Sequence, residues 1–318
     1  MTAAPVPAAP RDVTVVEVGP RDGLQNEPTP LAVDARIAFV RALAAAGMAR
    51  IEAGAFVQPT RVPQMAGSDE VCRALTNDAE LAAAGVRLSA LVPNLQGLAR
   101  AEASGLREVA VFAAASESFS QRNLNQPIDG ALHTFAEVCA AARERGLVVR
   151  GYVSTAFGCP YEGAVPVTAV QRVAEALLGM GVYEVAVSDT IGIAHPGQVR
   201  SMMRRLLAAI PAPQLALHFH DTRGTALANV LAALDLGITT FDASAGGLGG
   251  CPFAPGATGN LATEDLLYML QGLGLARAID LGAVVSASAS MEARLGRSLP
   301  SRYYRAARAA SPPARRHP

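Results

Sequence analysis

The sequence predicts an α/β chain closed into a (β/α)8 barrel with extra C-terminal helices, and three observations carry that prediction. Short β-branched runs alternate with helix-length segments eight times over roughly 270 residues, the count and length of such a barrel. The turn after the first run, Gly19-Pro20-Arg21-Asp22-Gly23, lacks the GxGxxG spacing of a doubly wound dinucleotide-binding sheet. The 318 residues are 51% hydrophobic and 17% charged, enough core material for one large barrel or two average domains.

The first strand is expected at 13–19, where VTVVEVG is dominated by β-branched residues. It runs into a loop at 20–27, and a helix follows over 31–46. The second strand, 50–56, carries Glu52 at its middle; burying a carboxylate there without a partner is costly, so Glu52 points to function. A loop with Arg61 and Pro63 precedes a helix at 69–76. The rhythm then continues with strands at 87–92, 108–114, 148–154 and 183–187, paired with helices at 95–103, 131–145, 168–180 and 197–210. The seventh strand is 215–219 with a helix at 225–235, and the eighth is 239–243, its helix opening after Asn260. Residues 279–295 predict one or two additional helices. The domain reading is a disordered segment over 1–12, a catalytic barrel over 13–298, and a frayed basic tail over 299–318, which holds five Arg and three Pro after Ser301.

Charge and composition exclude several functions. Lys+Arg and Asp+Glu are both 27, so no net field draws nucleic acid or an anionic membrane surface. No apolar run approaches the roughly 20 residues of a membrane span, and MTAAPVPAAPRD has neither a signal-peptide core nor the repeated Arg of a transit peptide. A cytoplasmic protein is expected. Cys72, Cys139, Cys159 and Cys251 lie far apart without a CxxC pair, which predicts free thiols rather than a disulfide or zinc framework.

On a barrel the chemistry belongs at the carboxyl ends of the strands. Polar residues collect there: Arg21, Asp22, Glu52, Ser116, Glu117, Arg150, Ser154, Asp189, Thr190, His218, His220 and Asn260. His218 and His220 are two apart on a strand, so both imidazoles face one side. With Asp22 and Asp221 near, they form a donor set suited to divalent Mg, Mn, Zn or Co. The bland alternatives are two core histidines, a surface Arg21–Asp22 ion pair contributing under about 1 kcal/mol, and a Cys251 that is merely a small hydrophobe. Convergence on one barrel mouth outweighs them. Cys251 lies in a loop with Gly246, Gly247, Gly249, Gly250, Gly256 and Gly259, a composition that allows a closing lid.

Three runs in particular resemble the hydroxymethylglutaryl-CoA lyase family of the DRE-TIM metallolyases. They are VGPRDGLQNE at 18–27, HFHDT at 218–222, and GGLGGCPFAPGATGNLATEDLLYML from Gly246. VPQM at 62–65, RGYVS at 150–154, GCPYEG at 158–163 and DTIG at 189–192 extend the likeness over about residues 13 to 275 in order. The resemblance implies a TIM barrel that cleaves 3-hydroxy-3-methylglutaryl-CoA to acetyl-CoA and acetoacetate with a divalent cation, Mg or Mn first and Zn or Co next. It implies that Asp22, His218, His220 and Asn260 hold the metal. Arg21 would neutralise the developing enolate, Glu52 would keep a water beside the metal or orient ligands, and Cys251 would act from the lid, with Asp189 a further candidate proton carrier. An acyl-CoA thioester substrate, a homodimer and a place in leucine degradation follow from the same resemblance.

The sequence departs from the family near the mouth. Where the family reads SFVSPKWVPQM this chain reads AFVQPTRVPQM from Ala55, and SLGDTIG becomes Ala186-Val187-Ser188-Asp189-Thr190-Ile191-Gly192. Of these departures Arg61 and Ser188, together with Ser116 and Arg150 at the mouth, are the candidates for reading the acyl group. Citramalyl-CoA or a longer 3-hydroxyacyl-CoA is the alternative substrate. A condensing synthase of the superfamily is a remoter alternative, weakened by the short stretch after Gly274, as is a non-catalytic metal-binding barrel, which would need neither Arg21 nor Cys251.

Overall fold

A computed structural model describes residues 13–250 and 259–310. Eight parallel strands close in sequence order into one barrel, β1 pairing with β8 from Thr14 opposite Thr240 to Glu17 opposite Ala243. The strands are β1 Thr14–Glu17, β2 Arg50–Ala55, β3 Arg87–Leu91, β4 Glu108–Ala114, β5 Val148–Ser154, β6 Glu184–Asp189, β7 Leu215–Phe219 and β8 Thr240–Ala243. Around them run α1 Val33–Ala45, α2 Ser68–Thr76, α3 Ala79–Ala83, α4 Leu95–Ala103, α5 Glu117–Leu124 and α6 Ile128–Glu144. The outer ring is completed by α7 Val167–Gly179, α8 Pro196–Leu207, α9 Ala226–Leu234, α10 Thr263–Gly272, α11 Leu281–Leu295 and α12 Arg302–Ala310. Among the described residues no helix is long and apolar enough to cross a membrane.

The TIM barrel is the fold the sequence predicts, and its strand edges are satisfied because closure leaves no unpaired ladder. Apolar residues facing the helices, such as Val111, Val153, Val185 and Leu217, are fully buried. The barrel interior is unusually polar. At its amino-terminal end Arg50 and Arg150 both reach Glu184 (2.9 and 2.8 Å), Arg87 reaches Glu108 (2.5 Å), and the Tyr183 hydroxyl donates to Glu108 (2.6 Å). Ion pairs thus plug the end of the barrel opposite the mouth. Buried charges endure only in such mutually paired sets.

Besides α3 and α5, short helices in stretches where none was expected, two elements differ from expectation. The first strand ends at Glu17, and Gly19–Gly23 coils into one wide turn in which the N–H groups of Arg21, Asp22 and Gly23 all reach Val18 O (3.1, 2.7 and 3.2 Å). This turn lifts Arg21 and Asp22 to the mouth. The second difference corrects the reading of 299–318 as frayed, because Arg302–Ala310 is α12. Asp265 of α10 caps it, accepting from Ser301 Oγ and from the Arg302 and Tyr303 backbone N–H groups (2.9, 3.1 and 2.7 Å), and Tyr304 packs into the core. Arginine-rich composition concealed an anchor of one tyrosine and a remote carboxylate. The segments 1–12 and 311–318 lie outside the described residues.

Candidate active site

Asp22, His218 and His220 converge at the barrel mouth, one potential ligand atom of each lying within 4.8 Å of the others. His218 sits on β7 beside Ser188 of β6 and Asp242 of β8. Its Nδ1 meets Asp242 Oδ2 at 3.2 Å, and its Nε2 faces Asp22 Oδ2 at 4.0 Å. A short antiparallel bridge pairs His220 with Asn260. The Asn260 amide donates to Asp22 Oδ2 (2.9 Å) and to Leu248 O (3.1 Å). Among the described residues its Oδ1 is buried without a partner, as is His220 Nδ1. Gly249 permits this approach: its φ of 120° suits glycine, and a Cβ there would lie 2.7 Å from Asn260 Nδ2.

The electrostatics match a cation site. Burial and then His218 push His220 down to about 4, so it is a neutral imidazole at physiological pH. Burial raises Asp22, but Arg21 and the two histidines outweigh it and hold the carboxyl at about 2. Burial likewise lowers His218, and Asp242 with Asp22 reverses the direction. Two imidazoles, a carboxylate and an amide oxygen, with two buried lone pairs unsatisfied, fit one divalent ion.

Arg21 lies beside that set and joins it to Glu52. Its Nε donates to Glu52 Oε2 at 2.6 Å and its NH1 to Asp22 Oδ1 at 2.5 Å, while its guanidinium carbon stands 5.5 Å from the centre of the Tyr152 ring. Glu52 is fully buried, and among the described residues its Oε1 has no partner. Burial raises its pKa against the pull of Arg21. A cavity of about 510 Å³ opens from Arg21 and the histidines, within the size range of small-ligand sites. One of its walls is apolar, formed by Phe112, Phe119 and Phe135; Arg61 stands exposed at its rim.

Residues 12–291 match the HMGL-like family. The chain belongs to it. The hydroxymethylglutaryl-CoA lyase of Pseudomonas mevalonii is 53% identical, over 91% of this chain and 95% of that protein. The 3-hydroxy-3-isohexenylglutaryl-CoA/hydroxy-methylglutaryl-CoA lyase of Pseudomonas aeruginosa is 50% identical, over 92% of this chain and 96% of its own length. The crystal structure of hydroxymethylglutaryl-CoA lyase from Pseudomonas aeruginosa superimposes with a TM-score of 0.91 at 49% identity, covering 95% of this chain and 99% of that one. The resemblance drawn from GPRDGLQNE, HFHDT and the glycine-rich run is thus the family in which the chain is found.

Of the residues singled out in the sequence, Arg21, Asp22, Glu52, His218, His220 and Asn260 meet at one place. Ser154, Ser188, Thr190 and Arg61 also line the cavity. Five others are placed elsewhere: Asp221, expected near the donor set, instead accepts from Ala226 N and Arg302 NH1, and Glu117 accepts from Ile128 N at the start of α6. Arg150 does not read an acyl group: it is buried inside the barrel, donating to Glu184 and Asp242. Ser116 is the N-cap of α5, accepting from Phe119 N and donating to Cys159 Sγ. Asp189 accepts from the N–H groups of Ile193 and Ala194 with its two oxygens (3.0 and 2.9 Å), so it shapes the loop after β6 rather than offering a proton at the mouth. Cys251 lies outside the described residues. The sequence reading missed Asp242 and Tyr152, although both stand on strands at positions where an alternating pattern turns polar side chains inward.

Two carboxylates under the glycine-rich run carry a pH dependence. Glu17 accepts from Gly19 N, Ala245 N and Thr263 Oγ1 (2.8, 3.0 and 2.7 Å), and Glu264 accepts from Gly246 N and Ser288 Oγ. Burial raises each from 4.5 to about 7. The folded state therefore keeps protons that the unfolded chain releases, so this contribution to stability is full below about 4.5 and is lost as pH rises through about 7. Glu17→Gln is expected to close its stability gap to the wild type by about 3 kcal/mol across that window. Thermal melts at a series of pH values check it, and a gap independent of pH would discount the buried charge.

Proposed function

We propose that this chain cleaves 3-hydroxy-3-methylglutaryl-CoA to acetyl-CoA and acetoacetate, with a divalent cation held by Asp22, His218, His220 and Asn260. The observation that carries this reading is Arg21, fixed by Glu52 and Asp22 at the edge of a complete donor set for a cation. The relatives at 53% and 50% identity support the substrate. Mg or Mn is the expected ion, since half the donors are oxygens. A homodimer and a place in leucine degradation rest on the family resemblance.

When bound, the cation makes the substrate's tertiary hydroxyl a stronger acid. A base takes that proton, the carbon–carbon bond breaks, and the electron pair moves into the thioester to give the acetyl-CoA enolate. Arg21 offers the fixed positive charge and fork of donors this oxyanion needs, already oriented before bond breaking. Glu52, with one buried oxygen unpartnered and its pKa raised, suits holding the water that carries a proton. The acid that protonates the enolate carbon is that water or Cys251.

The test is purified protein with Mg or Mn, a panel of 3-hydroxyacyl-CoA thioesters, and mass-spectrometric detection of acetyl-CoA. Acetyl-CoA and acetoacetate appear only with metal and vanish with a chelator. No product from 3-hydroxy-3-methylglutaryl-CoA under either metal sinks the reading, and consumption of added acetyl-CoA only when a 2-oxo acid is also supplied would instead indicate a condensing enzyme.

Arg61 supports a narrower statement. The sequence contains no lysine, so arginines are the permanently cationic side chains available to a CoA phosphate or a substrate carboxylate at the rim. Arg61 is exposed there and forms no ion pair among the described residues. Arg61→Trp is expected to raise KM on the order of tenfold with little change in kcat, the pattern of a contact made equally before and during bond breaking. Comparing kcat/KM for the hydroxymethylglutaryl and citramalyl thioesters in both proteins shows which anion is read. An equal loss for the two marks the shared CoA phosphates, a loss confined to one marks its acyl carboxylate, and an unchanged KM makes Arg61 a bystander.

A further inference from the structure

Asp242 is a buried carboxylate that the chemistry above does not use. It stands beside His218 in the register of β7 and β8, with its Oδ2 3.2 Å from His218 Nδ1. Both of its oxygens also accept from Arg150, Oδ1 from NH2 at 2.8 Å and Oδ2 from NH1 at 3.2 Å. Arg150 is held from the other side, its Nε donating to Glu184 Oε1 at 2.8 Å and its NH1 to the Tyr152 hydroxyl at 2.8 Å. The side chains of Arg150 and Asp242 are 1% and 0% exposed, so water does not substitute for any partner.

We propose that Asp242 is a positioning residue for the metal centre, fixing the tautomer and ring plane of His218 while Arg150 fixes Asp242. The inference rests on the metal reading given above. A carboxylate clamped by two guanidinium donors can only accept, so the proton between Asp242 and His218 belongs to His218 Nδ1. Nε2 then presents its lone pair toward Asp22. A histidine that ligates a metal through one nitrogen and donates the other N–H to a carboxylate is oriented and made more basic by that partner. The ion-pair layer at the closed end of the barrel is in this way connected to the mouth through Glu184, Arg150, Asp242 and His218.

Asp242→Asn tests it with the shape nearly unchanged. A single amide oxygen cannot serve both Arg150 and His218, and the charged guanidinium takes it. The amide NH2 then faces His218 Nδ1 and moves the ring proton to Nε2, where it blocks coordination, the same kind of tautomer error that an Asp-to-Asn change causes in a catalytic triad. Calorimetric or EPR titration with Mn2+ is expected to show affinity about 10- to 100-fold weaker than wild type. Glu184→Gln, which loosens Arg150 from behind but keeps the Asp242 clamp, retains the wild-type affinity. A merely structural Asp242 would lower the melting temperature and leave the Mn2+ affinity alone. Should Asp242→Asn not fold, a long-range 1H–15N spectrum of the metal-free wild type at alkaline pH reads the tautomer directly, with His218→Gln identifying the signal. A proton on Nδ1 is the expected result; a proton on Nε2 overturns the proposal, as does Asp242→Asn binding Mn2+ as tightly as wild type. A wild type that takes up no Mn2+ overturns the metal reading and this inference together, whereas equal uptake by both proteins overturns this inference alone.

Discussion

Replacing Arg21 by methionine is expected to lower kcat on the order of 10²-fold or more, the loss seen when an oxyanion donor is removed, with KM little changed. The reason lies in when the charge appears. The substrate carries no oxyanion on its thioester before the bond breaks, so Arg21 stabilises the enolate far more than the ground state, and interactions of that kind set kcat. Arg21→Lys is not a mild version of the change. The arginine fork reaches Glu52 through Nε and Asp22 through NH1 at once, and one ammonium on a flexible stem cannot hold both while aiming at substrate. Methionine also leaves Glu52 buried without its cation, a situation that commonly costs several kcal/mol unless the carboxyl takes up a proton. Melting curves of Arg21→Met are therefore part of the experiment, run beside steady-state kinetics at saturating metal. A folded variant with unchanged kcat and a large rise in KM would make Arg21 an anchor for the substrate's ground state and not a partner of the enolate.

His218→Ala is expected to remove both stoichiometric metal and turnover. The loss of affinity should exceed the roughly 10- to 100-fold that follows loss of an outer partner, because a ligand atom itself disappears. Elemental analysis of protein purified without chelator reads the first effect and acetyl-CoA release the second. A third readout is independent of catalysis. Saturating metal stabilises only the folded state, by about 2.7 kcal/mol when its concentration is 100 times Kd, so the wild type melts higher with Mn2+ and His218→Ala does not. Retained metal, retained activity and a retained Mn2+-dependent rise in melting temperature would together place the ion elsewhere.

The barrel was legible because its signals are local. Each β-branched run and each helix-length segment announces itself within a few residues, and eight repetitions leave little choice of topology. The candidate metal donors were legible through HFHDT and GPRDG, short runs whose chemistry is unusual wherever they occur. What escaped depends on partners remote in sequence. Arg150 in RGYVS stands in a motif near the mouth, yet its interactions are made with Glu184 and Asp242, 34 and 92 residues away. Asp189 in DTIG has the residue type of a catalytic acid, but two backbone N–H groups of its own loop occupy it. The terminal helix was hidden for the same reason, since Tyr304 gains its burial and Ser301 its partner from elements well upstream.

The distance along the chain between the gathered donors has a consequence for biosynthesis. Asp22 leaves the ribosome early, and His218, His220 and Asn260 follow only after six of the eight strands have been made. At roughly 5–20 residues per second, the interval between Asp22 and His218 is about 10–40 s. Closure waits longer still, because β1 pairs with β8, and Arg302 of the last helix binds Asp221 beside the histidines (2.6 Å). A nascent chain therefore has no finished cation site to compete for metal with other proteins being made. The donors are gathered only once β8 and the segment up to Arg302 have been made, so a cation would meet its full set of ligands late in the folding of the chain.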